Sequence, residues 1–446
     1  MNFHNILRNH GYTKRSDYPD IARWAAANTA NFRDEGSLLN AVENQFGAGI
    51  PKCGMRAQPQ SYQLWTNPSL PLDENAVEQL EIALKLPVAV GGAGMPDLHK
   101  GYSLPIGGVV ALNHAVSPAF VGYDISCMMM LTIFDTPEKL GPAALEKAEV
   151  REAYLQWVLA STSFGLGAKS LGADHAVMDD ERWSTINFLH SLKDLAFNQL
   201  GSSGAGNHFA DIVSGRYIDD AGEFVGLLTH SGSRGAGNKI GHHYAKLADR
   251  AASDNNSFPE GYGWLELDST EGQEYLQAMQ LMGDYARANH ELIHTHFAQE
   301  SGLETVIRYA NKHNFAWVDE QGRVIHRKGA TPAEDGQMGI IPGSSGSESY
   351  LVIGKGNAQA WNSASHGAGR PFSRSEAKKR FVAQSFETHM REKGITHYGI
   401  AADETVSAYK DIHCVINAQA DLIDVVAIMQ PRVVVMGGNL KSDDGD

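Results

Sequence analysis

The segment Gly122-Tyr-Asp-Ile-Ser-Cys127, running straight into Met128-Met-Met-Leu-Thr-Ile-Phe134, decides how the rest of the chain is read. The apolar run after Cys127 predicts a strand over 128–134, and its lack of polar alternation predicts burial on both faces. Asp124 and Cys127 then stand three residues apart at the mouth of that strand. A carboxylate and a thiolate offered from one tight segment can bind the same divalent ion, and a thiolate can bridge two. The plainer reading is a buried structural cysteine beside a turn aspartate, and the hexapeptide alone favours it.

Histidines elsewhere shift that balance. His208 lies in GAGNHF, His230 in THSGSRG, His313 in NKHNF and His366 in SHGAGR. Each sits in or beside a Gly- or Asn-containing loop rather than on an amphipathic stripe. Singly, each is more often a hydrogen-bonded structural residue. Together with Asp124 and Cys127 they favour a metal site, since neutral imidazole is the commonest nitrogen ligand. His290 and His294 also match H-E-x-x-H, the pattern of a helical zinc site. That motif is short, no downstream Gly-x-x-His follows it, and an ordinary polar helix face is the expectation there.

Between the loops, strands are expected at Gly107–Leu112, Phe224–Leu228 and Val433–Met436. Helices are expected at Pro142–Ala160, Asp180–Leu200, Thr270–Phe297 and Ser375–Lys393, the last opened by a Ser373/Glu376 capping pair. No repeat or low-complexity linker divides the chain, and the Gly/His loops spread from 91 to 374. One site is therefore assembled from one large α+β domain over 61–438. Residues 1–60 are expected to form an accessory or lid segment, and 439–446 an acidic tail.

Hydrophobic residues (42%) and charged residues (20%) stand in the balance of a soluble globular protein. No apolar run is long enough to span a bilayer, and no secretory signal opens the chain. Three cysteines cannot frame so long a chain, which fits a reducing, cytoplasmic setting. A net charge of −15 argues mildly against non-specific binding to nucleic acid. RNA binding therefore needs local basic patches, and Arg370, Arg374, Lys378, Lys379 and Arg380, with His326-Arg327-Lys328-Gly329, supply candidates.

The chain carries no Walker phosphate loop, no G-x-G-x-x-G after a strand and no Lys-x-Asp-Gly segment. A nucleotide-using enzyme of this sequence needs another nucleophile. His366, flanked by Gly367-Ala368-Gly369-Arg370, can attack phosphorus while Arg370 and metal ions neutralise charge. IPGSSGSESY offers backbone N–H groups and serine hydroxyls to phosphate oxygens.

In order, MPDLHKGYSLPIGG, GYDISC, GAGNHF, HSGSRG, KHN, HRKGAT, IPGSSGSESY, SHGAGRPFSR and DETVSAYKDI resemble the RtcB family of RNA-splicing ligases. The resemblance implies an α+β fold with mixed sheets and helices around a deep central metal-binding cleft. It implies two Mn²⁺ ions on Asp124, Cys127, His208, His230 and His313, with Cys127 shared. His366 would take GMP from GTP and pass it to an RNA 3′-phosphate, generated where needed from a 2′,3′-cyclic phosphate. A 5′-hydroxyl end then closes the bond. Asp97 is implied near the reacting ends. The guanylate pocket would be lined by Asn207, His208, Phe209, Ala210, Asp211, His313, Asn314, Pro342, Gly343, Ser344, Ser345, Ser349, His366 to Gly369, and Tyr409. Arg327, Lys328, Arg370 and Arg374 would meet RNA. Broken-ended RNA, tRNA-like, and an archease-type activating protein are the implied partners, with no membrane.

Three departures stand out. The family's GVDIGCGM-like run reads GYDISCMMM here, Ala210-Asp211 replaces the usual Ile-Glu, and Met436 stands where a lysine is usual. They suit a divergent paralogue serving RNA repair, with altered guanine selectivity. The alternatives implied are a metal-dependent cyclic-phosphate hydrolase and an RNA-end-binding protein.

Overall fold

The computed structural model describes residues 3–12, 17–47, 54–165, 167–172, 174–253, 258–372, 374–380 and 383–438. Cys53, Ser373 and the acidic tail lie outside them, as do the side chains of Arg374 and Lys378. The expected Ser373 cap is therefore not part of the description.

Met128–Asp135 is a strand in an eight-stranded sheet, hydrogen-bonded to Glu223–Ser231 on one side and Glu304–Lys312 on the other. Its unbroken apolar character has a direct cause. Met129, Leu131 and Ile133 pack into a core with Ile340, Leu351 and Met429, while Thr132 and Phe134 face the helix Thr270–Ser301. Each such buried aliphatic side chain contributes roughly 1.5–3 kcal/mol from water exclusion. Phe209–Tyr217 and Ile423–Met436 continue the sheet beyond Glu223–Ser231. A second, five-stranded sheet joins Tyr62–Leu64, Ala89–His99, Ile106–Asn113, Arg323–Lys328 and Asn314–Val318. The expected single α+β domain with mixed sheets and helices is what forms.

The 32-residue helix Thr270–Ser301 is capped at both ends. The Ser269 hydroxyl accepts the Gly272 N–H at 3.0 Å, and Gly302 takes the left-handed conformation (φ 68°) that ends the helix. Tyr275, Ala278, Met282, Tyr285, Asn289, Ile293 and Phe297 recur at helical spacing along its buried face.

Several boundaries differ from expectation. Pro142–Ala160 divides into a 3₁₀ turn, Pro142–Glu146, and the helix Ala148–Ser161, because Lys147 is extended. Asp180–Leu200 breaks into Arg182–Thr185, Asn187–His190 and Lys193–Gln199. Ile186 turns extended there and its side chain enters the core. The expected helix Ser375–Lys393 is helical over Arg374–Arg380 and Ala383–Glu392, the described residues of that stretch. The last strand begins at Ile423, ten residues before the expected Val433. Pro431 hid its first half, and the chain absorbs that proline at a bulge between Pro431 and Val433. The three N-terminal helices Phe3–Asn9, Tyr18–Asn28 and Glu35–Phe46 share a core of Leu7, Ile21, Leu38 and Val42.

A candidate metal and nucleotide site at the strand ends

Four neighbouring antiparallel strands of the large sheet deliver the predicted ligands to one edge. Cys127 precedes Met128–Asp135, His208 precedes Phe209–Tyr217, His230 is next to last in Glu223–Ser231, and His313 follows Glu304–Lys312. Antiparallel pairing puts the start of one strand beside the end of the next, so residues distant in sequence meet. His313 is also the single residue between that sheet and the strand Asn314–Val318 of the smaller one, which places the site at their seam.

The Cys127 thiol sulfur lies 3.0 Å from His230 Nε2 and 3.5 Å from His208 Nε2. His208 Nε2 is 3.0 Å from an Asp124 carboxylate oxygen, and His230 Nε2 is 3.2 Å from His313 Nε2. The two strand-end rings are aimed from behind: His208 Nδ1–H donates to the Ser203 carbonyl at 3.1 Å, and His230 Nδ1–H to that of Asn207 at 3.0 Å. Donating at Nδ1 leaves the Nε2 lone pair free, the tautomer a metal ligand needs. His313 Nδ1 is buried without a hydrogen-bond partner. Close Nε2 atoms with free lone pairs are stable only around a cation or a shared proton. Cys127, His208 and His230 form a buried group able to hold a metal ion. A side chain at Gly232 would run into the Asp124 carboxylate, so the close approach of these segments requires glycine.

Electrostatics agree with that role. Burial, reinforced by the nearby His208, pushes the His230 imidazole down to about 3, and burial with His230 holds His313 well below the usual range. Both are neutral near pH 7, as ligands must be. Burial raises Asp124, but a proton held at His208 Nε2, the place a bound cation would take over, outweighs burial and keeps the carboxylate below its usual range. Burial and the Asp124 charge push the Cys127 thiol well up, a penalty a bound cation reverses by favouring thiolate.

His366 stands beside this group, its ring centre 5.1 Å from that of His313. Its Nδ1–H donates to Asp97 Oδ2 at 2.6 Å, and its backbone N–H reaches the same oxygen at 3.2 Å. Asp97 is fully buried. The carboxylate fixes ring and tautomer, so Nε2 carries the free lone pair. Gly369 adopts φ +72°, and a Cβ there would run into the Asp97 backbone carbonyl and displace the strand that carries the carboxylate. Lys410, a residue the sequence reading passed over, donates to the carbonyls of Pro96 (3.3 Å) and Leu98 (2.8 Å) and so brackets Asp97. Its place in DETVSAYKDI was the available signal.

The other predicted residues fall into two groups. Gly343 N–H meets Ser349 Oγ at 3.2 Å, Ser344 pairs with Ser347, and Ser345 donates to the Glu404 carbonyl at 3.0 Å. The Ser345 hydroxyl also lies 3.6 Å from the Met436 sulfur. Met436 packs with Phe209, Phe386 and Ile400, so an apolar contact fills the position usual for a lysine. Asp211, paired with Val434 across the sheet, accepts one backbone N–H from Val435 at 3.3 Å, and burial pushes its carboxyl well up. Asn314 is structural as well as adjacent: its carbonyl oxygen accepts the Gly329 N–H at 2.8 Å.

The basic residues depart most from expectation. Arg327 is buried, with Nε on Ser363 Oγ at 2.7 Å and the guanidinium over Trp317, so it ties strands together. Arg370 is spent on Glu404 (2.6 Å), Tyr409 (2.6 Å) and the Asp403 carbonyl (2.8 Å). His326, counted in a basic patch, is fully buried and accepts the Ser117 N–H at 2.9 Å. Lys328 is only 7% exposed and lies near Gly122 and Tyr102.

His290 and His294 are also fully buried rather than on a polar helix face. Both ring nitrogens of each are occupied by Thr132, Thr229 and Ser231, which leaves no lone pair for zinc.

Fold and site together define a class: a single-domain mixed α/β protein with a buried Cys/His centre suited to a metal ion. The family model for the tRNA-splicing ligase RtcB matches residues 79–158 and 148–437. The RNA-splicing ligase RtcB of Escherichia coli strain K12 is 33% identical over 408 residues, covering 84% of this chain and 97% of that protein. The tRNA-splicing ligase RtcB of Methanococcus maripaludis is 31% identical, covering 82% and 92%. That of Thermococcus kodakarensis is 29% identical, covering 77% and 87%. This chain belongs to the RtcB family. Among the described residues no helix is long and apolar enough to cross a membrane.

Proposed function

We propose that this chain is a GTP- and Mn²⁺-dependent RNA ligase that joins 3′-phosphate or 2′,3′-cyclic phosphate ends to 5′-hydroxyl ends. The observation that carries the reading is the Asp97–His366 pair set beside the Cys/His group. His366 Nε2 attacks the α-phosphorus of GTP, a phosphorus–nitrogen bond forms, and the bond to pyrophosphate breaks. Asp97 stabilises the positive charge the ring acquires. The GMP passes to the RNA 3′-phosphate, and attack of the 5′-hydroxyl releases it as the strands join. Asp124, Cys127, His208, His230 and His313 would hold two Mn²⁺ ions, Cys127 shared, which neutralise phosphate charge when bound. The serine loop 342–349, Phe209, Asn207 and the 366–369 turn are the proposed guanylate cradle. Broken-ended RNA is the proposed substrate and an archease-type activator the proposed partner.

The test is incubation with GTP labelled at the α-phosphate and Mn²⁺, with and without such an activator, followed by denaturing electrophoresis. Label on wild type but not on His366→Ala is expected. Equal label on both removes His366 as nucleophile.

One observation favours a second reading. Met436 and Asp211 leave an apolar contact and a buried, neutral-leaning carboxyl where a guanylate cradle gains from charge. A metal-dependent cyclic-phosphate hydrolase needs no such cradle. Linear 3′-phosphate RNA accumulating without joined product would establish it.

A further inference from the structure

Tyr123, the departure next to the metal-binding aspartate, is not core filler. Its ring stacks on the exposed His242 ring, with centroids 3.7 Å apart and planes 15° from parallel. Tyr102 stands 6.1 Å away, tilted 49°, and is 64% exposed. Burying large aromatic area is favourable, so an exposed ring set beside a stacked pair marks a surface awaiting a planar partner.

The platform is held rigidly. The Gln79 side-chain N–H₂ donates to the carbonyls of Gly101 (2.8 Å) and Tyr102 (2.9 Å), and Tyr262 OH donates to Ser103 at 2.8 Å. Gly241 lets the helix Arg234–Ser253, which carries His242, approach Tyr123: a Cβ there would lie 3.0 Å from the Tyr123 Cα. One exposed cation, Lys246, stands one helical turn beyond His242, and the Nζ of the largely buried Lys328 is 5.8 Å from the Tyr102 ring centre. Besides the adjacent Asp124, two acids face Tyr123: Asp249, whose carboxylate accepts the Gly261 and Gly263 backbone N–H groups, and the exposed Glu260.

We propose that Tyr102, Tyr123 and His242 form a stacking platform for the base of the RNA nucleotide whose 3′-phosphate enters the metal centre. Tyr123 is covalently adjacent to Asp124, whose side chain is 36% exposed. A nucleotide's phosphate and base lie within one residue's reach of each other, matching that adjacency. The 5′-hydroxyl end brings no terminal phosphate and lacks this match. On a protein of net charge −15, stacking on aromatic rings with an exposed lysine nearby is also the economical way to hold a polyanion. The proposal rests on the RNA-ligase reading above.

The experiment uses a short RNA with a 3′-phosphate and 2-aminopurine as its last base, added to full-length protein with Mn²⁺ and no GTP. Wild type should quench the fluorophore. Tyr102→Ala and Tyr123→Ala should bind roughly 5- to 100-fold more weakly and lose the quenching, while Tyr123→Phe restores it. A fold-independent arm uses wild type alone: an abasic last nucleotide should bind more weakly by a similar factor. Equal affinity for the abasic RNA, unchanged quenching in Tyr102→Ala, or quenching only of a probe on the 5′-hydroxyl strand overturns the platform. Self-guanylylation is scored separately with labelled GTP. Its absence from wild type sinks the ligase reading while the quenching result stands, and the converse result sinks the platform alone.

Discussion

Two sets of buried histidines, linked through the adjacent residues Thr229 and His230, do opposite things. At the strand ends, His208 and His230 fix one nitrogen on a backbone carbonyl and aim the other at a sulfur, a carboxylate or another ring. On the long helix, His290 and His294 have both nitrogens paired. The second set forms a chain whose donors can be assigned end to end. Arg308 Nε–H donates to Thr132, whose hydroxyl donates to His294 Nδ1. His294 Nε2–H donates to Thr229, whose hydroxyl donates to His290 Nδ1, and His290 Nε2–H ends on the Ser231 carbonyl. Nothing is left over. Burial alone therefore does not mark a ligand candidate, whereas a free Nε2 converging with a sulfur and other rings does.

The sharpest way to break this contrast is to remove one ring from each set. His230→Ala should release at least one metal ion per chain, read by elemental analysis, and lower guanylylation by about 10³-fold or more. His294→Ala should keep the metal and lose stability instead, by about 1–3 kcal/mol from the unpaired threonines, read by denaturant unfolding. Metal loss in His294→Ala with His230→Ala unaffected would invert the assignment.

A smaller effect separates a ligand from the histidine beside it. His366 also has one nitrogen fixed, but by the buried Asp97 carboxylate rather than a carbonyl. Asp97→Asn keeps the shape and removes the charge that supports a cationic ring. Guanylylation should fall roughly 100-fold or more while metal content is unchanged. Parallel loss of metal would place Asp97 among the ligands.

How much of this was legible from the sequence follows from the same contrast. The convergence of Cys127, His208 and His230 could be read because glycine-flanked histidines and the Asp124/Cys127 pair sit at strand ends, where loop composition is visible. The strand at 128–134 was legible because burial on both faces leaves an apolar run. His290 and His294 were misread as a polar face. Their partners, Thr132 and Thr229, come from other strands, and no spacing along a helix encodes that. Arg327 and Arg370 were misplaced for the same reason: their acceptors, Ser363 and Glu404, are 36 and 34 residues away. Charge in a sequence reports composition, whereas pairing is set by the fold.

His326 offers the smallest test and the cleanest, because it lies in the five-stranded sheet among backbone groups. Its Nδ1–H faces the carbonyls of Val110 (3.3 Å) and Val324 (3.1 Å), and Nε2 accepts the Ser117 N–H. Burial pushes this ring down to about 4, with the two carbonyls opposing. The unfolded chain takes up that proton near pH ~6.5, so below it the unfolded state binds more protons and stability falls with falling pH. The neutral ring's contribution is complete above that value and is lost as pH drops toward about 4. Between pH ~6.5 and ~5 the loss should be about 2 kcal/mol. His326→Gln, which cannot titrate, should show a shallower pH dependence of unfolding by that amount. Identical slopes for the two proteins would mean that the folded ring takes its proton as readily as the unfolded chain does, and a fully paired histidine would then be no more resistant to acid than a free one.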